Sequence, residues 1–302
     1  MKILLTGGLG HIGSYLIKHL ENLQQIKKIY LVDNISNNRH DVLLNLKNEK
    51  ISFLYGDLTN NIFCNKIPKS DIVIHLASLT NSENSFDNKK FIFFNNINSF
   101  KNIIKYCLKF DAKLIHFSST SVYGPQKNIV TEETKKLFPQ SPYAKIKLIE
   151  EKLLKKEKKI NYISLRLGTI SGFSKGMRFH TAVNKFCFNA VMKIPIPIWN
   201  NALNLYRPYL SLKDLLKIIK FIIKKKFFPC DLFNIVSENK TVSEILNLIV
   251  RNKFIVKKKF IKSKIHQKTS FFTSVEKFEK VGPKINSKIA EDIHLTLKKL
   301  KK

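Results

Sequence analysis

The sequence predicts an α/β protein built on a doubly wound parallel sheet, with a smaller C-terminal region beside it. Three observations predict it. Apolar runs alternate with amphipathic stretches through the first half of the 302 residues, the order that puts helices on both faces of a parallel sheet. The runs are continuous in Ile, Leu, Val and Phe, as in strands buried on both sides. Four of the ten glycines crowd into residues 7–13, between the first run and the first amphipathic stretch.

The strands are expected at Lys2–Thr6, Lys28–Asp33, Ile51–Tyr55, Asp71–Leu76, Lys113–Ser118 and Asn161–Arg166, with helices at His11–Leu23, Asn88–Leu108 and Pro142–Lys156. Beyond Arg166 the pattern loosens. Gly168, Gly172 and Gly176 space a loop, a helix is expected over Phe179–Met192, and Pro195 and Pro197 break the chain. A helix over Ser211–Lys225 and a strand over Leu232–Ile235 could return to the sheet, and the tail from Thr241 reads as short helices and one strand.

Composition excludes several classes. At 44% hydrophobic and 25% charged, the chain can bury a proper core. No apolar run nears the ~20 residues of a membrane span, since Leu215–Ile223 is interrupted by Lys217 and Lys220. The apolar start at Met1–Leu5 ends at Thr6-Gly7-Gly8, too early for a secretory leader. Cys64, Cys107, Cys187 and Cys230 lie far apart, which fits a reducing cytoplasm and neither a disulfide framework nor a metal site. The net charge is +32, from 54 Lys and Arg against 22 acids, and only five of the 54 are arginine. The lysine runs carry no interleaved aromatic recognition pattern, so no specific nucleic-acid partner is expected. Their field would still draw in a small anion.

The glycine cluster reads Gly7-Gly8-Leu9-Gly10-His11-Ile12-Gly13. Glycine there permits a tight turn and close approach of backbone to a pyrophosphate, and the helix that follows offers free N–H groups and its positive dipole end. Asp33 closes the second strand twenty residues after Gly13. A carboxylate at that place accepts from ribose hydroxyls and repels a 2′-phosphate, favouring NAD. Gly56-Asp57-Leu58 and His75-Leu76-Ala77-Ser78 follow the third and fourth strands, the carboxyl edge where open α/β sheets bind ligands.

A second constellation lies further along. Ser141-Pro142-Tyr143 opens a helix with a capping serine and a proline at its first position, and Tyr143 and Lys147 then share a face. A free phenol has a pKa of roughly 10, and bringing one near 7 takes about 4 kcal/mol of preferential anion stabilisation. A neighbouring ammonium and a helix N-terminus are suitable contributors. The fifth strand ends in Ser118-Ser119-Thr120-Ser121-Val122-Tyr123-Gly124, which delivers hydroxyls to the same edge.

Together, Thr-Gly-Gly-x-Gly-x-x-Gly, Ser-Ser-x-x-Val-Tyr-Gly and Tyr-x-x-x-Lys resemble the extended short-chain dehydrogenase/reductase superfamily, and within it the NAD-dependent nucleotide-sugar epimerase/dehydratase family. The resemblance implies a Rossmann-type fold class, permanently bound NAD and a homodimer. It implies an NAD-binding domain over 1–167, with 203–237 returning to it, and a substrate-binding region over 168–202 and 238–302. Tyr143 would be the catalytic base, Lys147 its activator and Ser119 the hydroxyl bonding substrate. Asp33, Asn34 and Asn37 resemble the ribose-binding stretch of UDP-galactose 4-epimerases, and Asn95 would lie beside the cofactor. Gly7, Gly10, His11, Ile12, Gly13, Asp57, Leu58, Leu76, Ala77 and Ser78 complete the cofactor set, while Thr80, Thr120, Thr169, Arg178 and Arg207 face the sugar nucleotide, expected to be UDP-linked.

Dehydratases of this family carry Asp-Glu or Glu after the catalytic Ser/Thr, where this chain has Thr120 and Ser121. Neither of these aliphatic hydroxyls can shuttle protons as a carboxylate does near neutral pH. Epimerisation through a 4-keto sugar is therefore expected, the alternatives being a net sugar oxidoreductase and a binding protein that keeps only the fold.

Overall fold

The computed structural model describes residues 1–46, 48–80, 86–200, 202–262 and 271–301. Seven strands form one parallel sheet: β1 (Lys2–Thr6), β2 (Lys28–Asp33), β3 (Ile51–Tyr55), β4 (Ile72–His75), β5 (Lys113–Ser119), β6 (Tyr162–Leu167) and β10 (Asp231–Ile235). Their spatial order is β10-β6-β5-β4-β1-β2-β3. The order reverses between β1 and β4, the switch point at which doubly wound sheets open a crevice.

Alternation along the strands explains the two covered faces. Ile3 and Leu5 point into one cluster with Leu16 and Ile17 of α1 (His11–Leu20) and Ile218, Ile219 and Ile222 of α7 (Leu212–Lys225). Leu4 points the other way, joining Phe100 and Ile103 of α4 (Lys89–Phe110) and Leu154 of α5 (Pro142–Lys156). Each Ile, Leu or Phe so buried contributes roughly 1.5–3 kcal/mol, which is why these runs were readable without a partner in view.

Short helices α2 (His40–Leu44) and α3 (Asn61–Lys66) cross beside β2 and β3, a turn of 3-10 helix covers Thr120–Val122, and α1 stops at Leu20. After β6 the chain builds two small sheets, of whose strands the sequence pattern shows only one, in the tail. One joins β7 (Thr169–Ser171), β9 (Tyr206–Ser211) and β11 (Glu238–Thr241); the other joins β8 (Ile196–Trp199) to β12 (Lys258–Ile261). Pro197, expected only to break the chain, sits inside β8; a two-stranded ribbon is all edge, where proline is tolerated. The helix expected from Phe179 begins at Ala182, as α6 (Ala182–Val191). It packs with α8 (Val242–Arg251) and α10 (Ile289–Leu300) around Val183, Ile245 and Ile293, while α9 (Glu276–Glu279) lies against β10. Asp292 of α10 accepts from Ser171 Oγ at 2.5 Å and Ser211 Oγ at 3.0 Å, tying this layer to β7 and β9.

Candidate active site

A cavity of about 770 Å³ opens along the carboxyl edge of the sheet and continues between β9, α6 and β8. Every residue expected from the sequence to hold cofactor or substrate lines it.

At one end the glycine turn is shaped by crowding. Gly7 has φ +65°, and a Cβ there would stand 2.6 Å from the Ala77 nitrogen; one on Gly13 would stand 2.5 Å from Gly8 Cα. Gly10 begins α1 with no side-chain cap, so the first helical N–H groups remain available to an anion in the cavity. The His11 ring ties down the far loop: its Nε2–H donates to the Gly172 carbonyl at 2.7 Å. Burial, with nearby Arg178, drops the His11 pKa to about 3, so the ring is neutral.

Asp33 sits where β2 ends, and its two oxygens accept from the Leu9 N–H at 3.1 Å and the Ile35 N–H at 2.9 Å. These bonds lock the carboxylate beside the glycine turn. Asn34 Nδ2 reaches Asp57 at 3.4 Å, and Asn37 and Leu58 close this end. Arg39 was not foreseen; it lines the cavity near Gly10, and its signal was its rarity in a lysine-rich chain.

At the end of β4, Thr6 Oγ1 accepts from the Ala77 N–H at 3.3 Å and shares a proton with His75 Nδ1 at 2.8 Å, holding Leu76 and Ala77 against β1. Asn95 lines the wall from α4, and its neighbour Asn96 clamps the Leu79 backbone through both its N–H and C=O, at 2.9 and 3.1 Å. Ser78 Oγ, Arg178 Nε and His11 Nδ1 are buried here with no hydrogen-bond partner. Buried polar atoms are normally paired, so the lining fits a polar ligand.

The serine, tyrosine and lysine expected to react line the middle of the cavity. Ser119 Oγ accepts from the Ser121 N–H at 3.2 Å and the Ser121 hydroxyl at 2.9 Å, which leaves its own proton to donate. Thr120 Oγ1 is spent on the Leu167 carbonyl at 3.1 Å, so its hydroxyl serves the fold first. Ser141 caps α5 by accepting from the Ala144 N–H at 3.1 Å. One turn apart on that helix, Lys147 Nζ lies 5.8 Å from the Tyr143 ring centre. The helix is anchored by Glu151, which takes a two-pronged pair from Arg166 at 2.9 and 2.7 Å and a further bond from Ser118. Arg166 also lies over the Tyr123 ring at 4.8 Å.

Toward the small sheets, Arg178 Nη1 donates to Thr80 Oγ1. Thr169 opens β7, and Arg207 extends from β9 with Nη1 donating to the Tyr206 carbonyl at 2.7 Å. Lys185 and Trp199 join this wall and were not foreseen, since only the packing of α6 and β8 brings them in.

A glycine turn at a parallel-sheet switch point, an acid at the second strand and a tyrosine–lysine pair beside both define a dinucleotide-dependent enzyme. The chain belongs to the NAD dependent epimerase/dehydratase family, whose description matches residues 3–235. It is 29% identical over 244 residues to the ADP-L-glycero-D-manno-heptose-6-epimerase of Brachyspira hyodysenteriae, covering 76% of this chain and 75% of that one. It is 27% identical over 223 residues to a putative UDP-glucose 4-epimerase of Methanocaldococcus jannaschii, covering 71% of each. A solved UDP-glucuronic acid 4-epimerase from Bacillus cereus superposes with a TM-score of 0.90 at 22% identity, over 100% of this chain and 99% of that one.

Proposed function

We propose that this chain is a nucleotide-sugar epimerase that inverts C4 through a transient 4-keto sugar. The observation that carries the reading is the chemistry around Tyr143: the two positions after Ser119 are the hydroxyls of Thr120 and Ser121, and both are engaged in internal hydrogen bonds. Among the described lining residues the only carboxylates are Asp33 and Asp57, both at the glycine-turn end. Expelling water from C5 and C6 needs a further acid beside the sugar, in addition to the tyrosine; inversion at C4 does not. The Bacillus cereus neighbour, solved with NAD and a UDP-glucuronic acid analogue, supports a UDP-linked sugar.

Gly7, Gly10, Ile12, Gly13, Asp33, Asn34, Asn37 and Ser78 would hold NAD, which when bound supplies the acceptor and donor of hydride. Ser119 donates to the sugar O4, and Tyr143 takes the 4-hydroxyl proton and returns it after the keto sugar has turned. The Lys147 ammonium favours the phenolate at that moment. Arg178 and Arg207 suit the diphosphate, since guanidinium pairs with phosphate through two bonds. In this reading residues 1–167 and 203–237 carry the cofactor, and 168–202 and 238–302 grip the sugar nucleotide. Exposed Phe93 and Phe94 on α4 support a homodimer, and four free cysteines suit the cytoplasm.

The test is mass spectrometry and chromatography of purified protein incubated with UDP-glucose, UDP-galactose and UDP-glucuronic acid. A 4-epimer should form with NAD retained and no net change in NADH absorbance. Tyr143→Phe should lower turnover by ~10²–10⁴ while NAD stays bound. Sustained conversion of NAD to NADH would instead mark a net oxidoreductase and reject the proposal.

A further inference from the structure

Glu150 belongs to none of the motifs described so far, yet it is the group that Lys147 touches. It stands one turn beyond Lys147 on α5 and is 1% exposed. Its Oε2 accepts from Lys147 Nζ at 2.8 Å and from His116 Nε2 at 3.0 Å. His116 on β5 in turn accepts from Ser164 Oγ of β6 at 2.8 Å. The chain of bonds therefore runs from the sheet, through a histidine and a carboxylate, to the ammonium beside Tyr143.

We propose that Glu150 is a positioning residue: held by His116, its carboxylate fixes the Lys147 ammonium at its station 5.8 Å from the Tyr143 ring. This rests on the reading of Tyr143 and Lys147 as the reacting pair. A lysine head is a point charge on a flexible stem with three rotatable donors. One donor committed to Glu150 orients the other two. The same contact keeps the head charged. Burial alone would pull a lysine down; here Glu150, with Tyr143, outweighs burial, and the Lys147 pKa is raised above its ordinary value. Glu150 itself, pushed up by burial, is drawn down by Lys147 and His116 to about 2, so it is an anion.

The groups facing this pair have other duties. From α5, Glu151 is taken by Arg166 and Ser118. From β4 and β5, burial holds His75 and His116 below their ordinary values and therefore neutral. From α4 comes the Phe100 ring, packed at a tilt against both histidines, and from β6 the Ser164 hydroxyl. Glu150 is thus the anion that balances the Lys147 charge.

The experiment is a pH titration of NAD-loaded protein carrying lysine labelled with ¹³C at Cε, followed by NMR, with Lys147 assigned from the signal lost in Lys147→Arg. In the wild type Lys147 should stay protonated beyond pH ~10. In Glu150→Gln its titration should fall by at least about one pH unit, with the alkaline limb of turnover moving down alongside, and Glu150→Asp should restore part of the shift. A carboxylate that served stability alone would lower the melting temperature and leave the Lys147 titration where it was; that result overturns the proposal. Should Glu150→Gln fail to fold, the wild type decides, because a Lys147 that loses its proton below pH ~9 is not held by this carboxylate. If the titration shifts as stated while Tyr143→Phe retains full turnover, the catalytic reading falls and takes the positioning role with it; an unmoved titration removes the role alone.

Discussion

Two glycines of the first turn look alike in sequence and differ in space. Gly7 lies at φ +65°, and a Cβ on it would stand 2.6 Å from backbone nitrogen of Ala77. A side chain there is strained and has nowhere to go, at a cost of ~1–3 kcal/mol. Gly10 has ordinary torsions, and its Cβ would meet only the Gly7 carbonyl at 3.1 Å and Arg39 Nη1 at 3.5 Å. Gly7→Ala should therefore lower the urea midpoint and lose NAD together. Gly10→Ala should lower the midpoint less than Gly7→Ala does and still purify with less cofactor; equal cofactor content in Gly10→Ala and wild type would contradict this. Both glycines, Asp33, Tyr143 and Lys147 were readable because their spacing is local. Glu150 and Arg39 were not: their meaning comes from His116, thirty-four residues away on another strand, and from a turn that folds back over Gly10.

The orientation of α5 decides whether Tyr143 faces the cavity, and one contact secures it. Glu151 receives the planar fork of Arg166, a residue 3% exposed, and a bond from Ser118 on β5. Glu151→Gln leaves a buried guanidinium without its anion, which costs ~3–5 kcal/mol. Urea unfolding should show that loss, and turnover should fall although no reacting group has changed; a loss under about 1 kcal/mol would show that the helix is held elsewhere. The strands of the large sheet announced themselves through long apolar runs. Strands β7, β8, β9 and β11 did not, and of β12 only a strand somewhere in the tail was expected. They are three to six residues long, two of them contain Pro197 and Pro208, and they exist because each finds a partner in the fold.

For the molecule as a whole, acid is the vulnerable side. His11 and His75 are buried and held to about 3, chiefly by burial, against ~6.5 in an unfolded chain. Between those values the unfolded chain binds protons that the native state refuses. Stability contributed by these rings is complete above pH ~6.5 and is lost as pH falls, at ~1.4 kcal/mol per unit for each, or roughly 3 for the two. Glu150, at about 2, adds the same sign of loss below the ordinary carboxylate range. Unfolding free energies in urea at pH 7, 6, 5 and 4 should trace that slope, and a flat profile over this range would count against it. No helix among the described residues is long and apolar enough to cross a membrane.

Of the 49 lysines, Lys147 is the one that the described part of the fold shuts away from water. An amine-directed reagent thus meets two populations. Acylation would strip most of the +32 from the outside before it reached the amine locked against Glu150. The outer coat of charge can be rewritten, by a chemist or by mutational drift, while the buried amine beside Tyr143 keeps its own.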